Sequence, residues 1–241
     1  MERLQKVIAS SGYCSRRKAE DLIINSKVMV NGRIVNELGV KVKGDDVIKV
    51  ENNVITREEK EYYVINKPRG VLSTTKDDKD RKTIIDYIET DKRIYPVGRL
   101  DYDTTGLLLL TNDGEFANNM MKPSSMIEKT YLAKINGILT KEEKQKLLSL
   151  KKYKVDNIKV KSINKTNQTS LVEITIHEGK NHEIKNIFKT INYDTLKLTR
   201  ISYGFLDIKD LKSGEYRKLN HKEVTSLYAL ANSKIKGSSL W

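Results

Sequence analysis

The chain has 241 residues, 45 Lys plus Arg against 32 Asp plus Glu, and a net charge of +13. With 38% hydrophobic and 32% charged residues it is polar but able to fold, not the composition of a disordered chain. Residues 1–58 hold 11 basic and 8 acidic groups, so +10 of the +13 lies beyond them, and a folded, evenly basic protein favours a polyanionic partner, nucleic acid first.

No apolar run approaches the ~20 residues of a membrane span, and Met1 to Lys6 contains no signal-peptide core. The expected location is the cytoplasm. Cys14 is the only cysteine, so no internal disulfide or cysteine zinc site is expected. His177, His182 and His221 have no metal-ligand spacing and read as ordinary histidines. Neither GxGxxG nor GxxxxGK[ST] occurs, so no nucleotide cofactor is expected.

Leu4, Val7 and Ile8 recur at helical spacing until Gly12. Ser15 is suited to cap a second helix with Ala19, Leu22 and Ile23 on one face and Arg16, Arg17 and Glu20 toward the other. The period then changes to two around Asn31-Gly32, a strong hairpin signal because both residues accept positive φ. Residues 1–50 thus form a small helix–helix–hairpin unit, and residues 51–60 read as a linker. From residue 61 to 232 the pattern is α+β. Residues 233–241 read as a frayed tail. Thr83 to Ile88 suggests a short helix.

Glycines bracket the polar loop Gly98–Gly106, and the apolar run Leu107–Leu110 follows it. Such a strand is buried on both faces and would hold the loop rigidly. Tyr131, Ala133 and Ile135 alternate with Leu132 and Lys134 as in a strand. Ile184, Ile187, Phe188 and Ile191 mark an amphipathic helix over 181–191, with Lys185 beside its apolar stripe.

Ser15 to Ile23 followed by Val28-Met29-Val30-Asn31-Gly32 resembles the S4 RNA-binding domain. That resemblance implies that Arg16 and Arg17 face RNA phosphates, a role suited to fork-shaped donors. Gly98-Arg99-Leu100-Asp101, then Asp103 to Gly114, resembles the signature of pseudouridine synthases, in the S4-containing branch that acts on ribosomal RNA. Lys67-Pro68-Arg69-Gly70, Lys129-Thr130-Tyr131-Leu132 and Glu178 to Lys185 match further family segments in order.

The resemblance implies a mixed, largely antiparallel catalytic sheet with flanking helices and a cleft across it. It implies isomerisation of uridine to pseudouridine without cofactor or metal, by a monomer acting on ribosomal RNA, free or in an assembly intermediate. Asp101 becomes the catalyst, as nucleophile or as base. Tyr131 stacks on uracil and aids removal of the C5 proton, and Lys185 supplies the counter-charge. Lys185, Glu183 and Asn186 depart from the arginine, glutamine and basic residue common at these positions. Arg99 is expected to contact phosphate and to hold the place of the flipped nucleotide. Lys67 and Arg69 are further phosphate candidates. Asp103 is the rival carboxylate, expected to order the loop. The stretches Val71–Thr75 and Arg81–Thr83, with Gly98–Asp103, look closer to large-subunit than to small-subunit enzymes. An inactive RNA-binding assembly factor and a metal-dependent hydrolase using Asp101 and Asp103 are the alternatives.

Overall fold

The computed structural model describes residues 1–233, so the tail read over 233–241 lies, past Ser233, outside the described residues. The chain divides into two compact units. The first holds residues 1–61 with 90–94 and 112–114, and the second holds the remainder.

In the first unit, β1 (Glu2–Arg3) leads into α1 (Leu4–Ser10) and α2 (Arg16–Ile24). The Ser15 hydroxyl caps α2 by accepting from the Lys18 amide at 3.2 Å. Four strands follow, β2 (Val28–Val30), β3 (Arg33–Val35), β4 (Lys41–Val42) and β5 (Ile48–Val50). Val30 pairs with Arg33 across Asn31-Gly32, whose φ values are +51° and +78°, the two-residue hairpin that the sequence announces. Leu4, Ile8, Ala19 and Ile23 close over Val28, Val42, Ile48 and Val50 to make this unit's core.

Residues 51–60 are not a plain linker. Glu51 and Asn52, both at positive φ, turn the chain into β6 (Asn53–Val54), which pairs with β5. Farther on, the Asn112 side chain accepts from the Glu61 amide at 2.8 Å and donates to the Glu59 carbonyl at 2.8 Å. The segment lacks Gly and Pro, so its turn rests on Asn52, which tolerates left-handed backbone better than most residues.

The second unit is built on one sheet of nine strands, ordered β11-β12-β10-β13-β9-β7-β15. They are β7 (Tyr62–Lys67), β8 (Tyr95–Pro96), β9 (Thr105–Thr111), β10 (Lys129–Ile135), β11 (Val155–Asn164), β12 (Thr169–Ile176), β13 (Thr195–Tyr203), β14 (Leu206–Asp207) and β15 (Tyr216–Lys218). β8 adds to β9 and β14 to β13. Every pairing is antiparallel except β13 with β9, so the mixed, largely antiparallel sheet is as expected. The helices are α3 (Gly114–Met121), α4 (Lys141–Leu148), α5 (Glu183–Lys189) and α6 (His221–Ser233). The helix read at Thr83–Ile88 is a single 3₁₀ turn over Ile84–Tyr87.

β9 is the structural axis. Leu107, Leu108, Leu109 and Leu110 are each at most 1% exposed. Leu107 and Leu109 pack with Phe116, Ala117 and Met120 of α3 and with Val224, Leu227 and Ala231 of α6. The spacing of the α6 residues, i, i+3, i+7, is that of one buried helix stripe.

Candidate active site

The loop before β9 is fixed at both ends. Its far end enters β9 through Gly106, at φ +107°. There β9 and β13 approach in parallel for two residue pairs, Thr105 with Thr199 and Gly106 with Arg200. A Cβ on Gly106 would lie 2.7 Å from the Arg200 amide nitrogen, and nearer still to its carbonyl oxygen, so only glycine admits this approach. At the loop's near end, Ser73 Oγ donates to the Leu100 carbonyl at 2.8 Å, and the Gly70 amide donates to the Tyr102 carbonyl at 2.8 Å.

Lys67 completes the clamp. Expected to face RNA phosphates, it instead lies fully buried at the end of β7. Its ammonium donates to the carbonyls of Pro68 (3.0 Å), Asp101 (3.2 Å) and Thr104 (2.8 Å). Its three donors are taken, so no N–H is left for a phosphate. Burial pulls this ammonium down to about 8, although nearby Asp103 and Asp101 oppose the shift.

The loop carries Asp101 to α5. Lys185 Nζ lies 3.0 Å from Asp101 Oδ2 and bonds both oxygens of Asp103, at 2.7 and 3.0 Å. The expected contact between Asp101 and Lys185 is therefore present. Asp103 is no bystander, because the same ammonium gathers both carboxylates. Burial lowers the Lys185 ammonium, but its bonds to Asp103 and Asp101 outweigh that and leave it raised. The same bond holds the Asp103 carboxyl below the usual range, helped by nearby Arg69. Two carboxylates this close would repel without the cation between them.

His182 was not anticipated. Its Nε2 lies 3.5 Å from Asp101 Oδ1. It stands at the N-cap of α5, three residues before Lys185, and this i, i+3 spacing is the only sequence sign that the two share a face. Glu183 is buried, which pushes its carboxyl up, and its Oε2 accepts from the Lys180 amide at 2.7 Å.

Tyr131 is 7% exposed and pairs in register with Arg200 on β13 and Ile174 on β12. Arg200 is buried, and its Nε donates to the Leu107 carbonyl at 2.7 Å. The tyrosine's neighbour is thereby tied to the strand that carries the loop. Arg69 and Arg99 are exposed, as are Arg16 and Arg17 in the first turn of α2, which holds no acidic residue.

A second cluster lies apart from Asp101. Glu128, Asp156 and His177 bring ligand atoms within 4.8 Å of one another. Both carboxylates are exposed, and the His177 ring already bridges the Met126 carbonyl (2.9 Å) and Asp156 (3.1 Å).

An aspartate on a rigid loop, held by one cation against a sheet, meets the needs of covalent or proton-transfer chemistry. Comparison with known families is decisive. Residues 61–190 match the RNA pseudouridylate synthase model, and residues 2–48 match the S4 domain. The chain belongs to the RNA pseudouridylate synthase family. As an RNA pseudouridine synthase it is an isomerase acting on uridine. It is 51% identical to the "Ribosomal large subunit pseudouridine synthase B" of Bacillus subtilis, covering 96% of this chain and 98% of that one. An "Uncharacterized RNA pseudouridine synthase" of Aquifex aeolicus is 37% identical, with 96% of each chain covered. A solved pseudouridylate synthase at 30% identity superimposes with a TM-score of 0.63, over 94% of this chain and 100% of the other. The pseudouridine synthase fold with an N-terminal S4 domain is therefore shared along nearly the whole chain.

Proposed function

We propose that this pseudouridine synthase modifies a specific uridine of large-subunit ribosomal RNA, with Asp101 as catalyst. The large-subunit target is supported by the Bacillus subtilis relative, whose name carries that assignment. The observation that carries the catalytic reading is the Asp101–Lys185 contact of 3.0 Å on a loop clamped by Lys67 and Gly106.

The reaction is an isomerisation with nothing added or lost. The bond from uracil N1 to the ribose breaks, the ring turns, and C5 joins the same ribose carbon. The C5 proton leaves and a proton is returned to N1. An ionised Asp101 can attack as nucleophile or take a ribose proton, and both routes need the negative charge that Lys185 stabilises. Tyr131 stacks on the extruded uracil and assists removal of the C5 proton. Arg99 contacts phosphate and fills the vacated place in the stack, with Arg69 as a further phosphate contact. Arg16 and Arg17 hold the RNA through phosphates, which supply register and affinity but not sequence. This chemistry calls for no cofactor and no metal, and the enzyme works as a monomer in the cytoplasm.

The test is to incubate uridine-labelled ribosomal RNA with protein in chelator and to assay pseudouridine. Wild type is expected to form it. Asp101→Asn is expected to fall below detection while still binding RNA. Product formation by Asp101→Asn together with its loss in Asp103→Asn would move the catalyst to Asp103. Binding without product by wild type would favour an assembly factor. The uridine itself is identified by mapping pseudouridines in ribosomal RNA from cells lacking the protein.

A further inference from the structure

The two oxygens of Asp101 are not equivalent. Oδ2 lies 3.0 Å from the Lys185 ammonium, which also binds Asp103. An oxygen so engaged has its charge drawn into a strong ionic hydrogen bond. Oδ1 has His182 Nε2 as its ionic neighbour among the described residues, at 3.5 Å, too long for a formed hydrogen bond. In an enzyme without substrate, such contacts often stand long and tighten when the complex forms.

The backbone at His182 sets where its side chain starts. Its backbone sits at φ +51° and ψ 30°, a left-handed conformation uncommon for histidine. On one side, Lys180 and Glu183 exchange bonds: the Lys180 amide donates to Glu183 Oε2 at 2.7 Å, and the Glu183 amide donates to the Lys180 carbonyl at 3.2 Å. On the other side, the Asn186 amide donates to the His182 carbonyl at 2.9 Å and starts α5. The turn that aims Lys185 thus aims His182 as well, and the imidazole, 53% exposed, makes no cap bond to its own helix.

We propose that Asp101 Oδ1 is the reacting oxygen and that His182 is a positioning residue for it, presenting Nε2–H to Oδ1 when RNA closes the site. Lys185 then fixes one end of the carboxylate and His182 the other, so the carboxylate plane cannot rotate. The role is the same whether Oδ1 attacks carbon or takes a proton. It rests on Asp101 being the catalyst.

The experiment compares wild type, His182→Ala, His182→Gln and Asp101→Asn. Each is measured for RNA affinity and for single-turnover rate at saturating RNA. Misplacing a reacting group by ~1 Å can cost on the order of 100-fold. His182→Ala is expected to slow the saturated rate about 10- to 100-fold by that argument, with affinity within about twofold of wild type. His182→Gln, whose amide can still present an N–H, is expected to recover most of the rate. A His182→Ala rate within about twofold of wild type overturns the inference. So does lost affinity at an unchanged saturated rate, and so does a Gln variant as slow as Ala. Should the Ala variant fail to fold, His182→Asn, too short to reach Oδ1, replaces it in the comparison with Gln. Retained turnover in Asp101→Asn would defeat the reading beneath the inference. Loss there beside a normal His182→Ala would defeat the inference alone.

Discussion

Gly106→Ala tests whether the site depends on the close approach of β9 and β13. The added methyl meets backbone, not a flexible side chain: 2.7 Å from the Arg200 nitrogen and 2.9 Å from its carbonyl carbon. Ordinary van der Waals contact for carbon begins near 3.5 Å, so the strands must part by most of an ångström. Overpacking of this kind costs about 1–3 kcal/mol. The φ of +107° adds a further ~1–3 kcal/mol for a residue with a Cβ. The sum is about 2–6 kcal/mol, and a domain of this size loses roughly 2–4 °C per kcal/mol. Thermal melting should therefore fall by roughly 4–24 °C. Below its melting point the variant should also isomerise uridine more slowly, because Asp101 hangs five residues before the displaced glycine. Gly44→Ala, where nothing lies within 4 Å and φ is not positive, is the control and should stay within about 0.5 kcal/mol of wild type. A Gly106→Ala protein melting within about 2 °C of wild type would refute the argument.

Lys185→Met keeps the aliphatic stem but leaves Asp101 and Asp103 without their shared cation; the single-turnover rate should fall about 100-fold or more, while Lys185→Arg should keep most of it. Arg16→Ala with Arg17→Ala should weaken RNA binding and flatten its salt dependence by ~0.7–0.9 log units per lost phosphate contact, read by titration at several salt concentrations, with little change in the saturated rate. Lys67, with an ammonium near 8 in the folded protein, is charged in both states below pH 8. Between pH 8 and about 10.5 only the unfolded chain keeps its proton, so this group's contribution to stability rises with pH across that window, by up to about 3 kcal/mol. Lys67→Met should make the denaturant midpoint less dependent on pH there; an unchanged slope would mean Lys67 is not buried as a cation.

What could be read in the sequence was local. The Asn31-Gly32 hairpin, the doubly buried β9 and the stripe of α5 each declare themselves within a dozen residues. Asp101, Tyr131 and Lys185 stood out only because ordered motifs surround them. The burial of Lys67 is not legible locally, because lysines are rarely buried and two of its three carbonyl partners lie 34 and 37 residues away. No local pattern encodes such a contact. Asp103 reads as a loop residue, and the ammonium that binds its carboxylate belongs to α5, 82 residues on. His182 escaped because its importance lies in a left-handed backbone angle and in three-dimensional proximity to Oδ1, neither of which a histidine letter conveys.

The parallel partnership of β9 and β13 also has a consequence during synthesis. One edge of β9 can pair with β7 as soon as residue 111 has left the ribosome, since β7 precedes it in the chain. The stretch of the other edge at Thr105 and Gly106 waits for residues 199 and 200. At ~5–20 residues per second, that wait is on the order of 5–20 seconds. For that interval the Thr105–Gly106 stretch of that edge stands unpaired, although β8, which precedes β9 in the chain, can already cover Leu110 and Thr111. The Asp101–Lys185 contact is also unmade, because Asp101 precedes the gap and Lys185 emerges near its end. On the proposed assignment the site is therefore completed only when about three quarters of the chain has been made, and its assembly coincides with closure of the β9–β13 pairing.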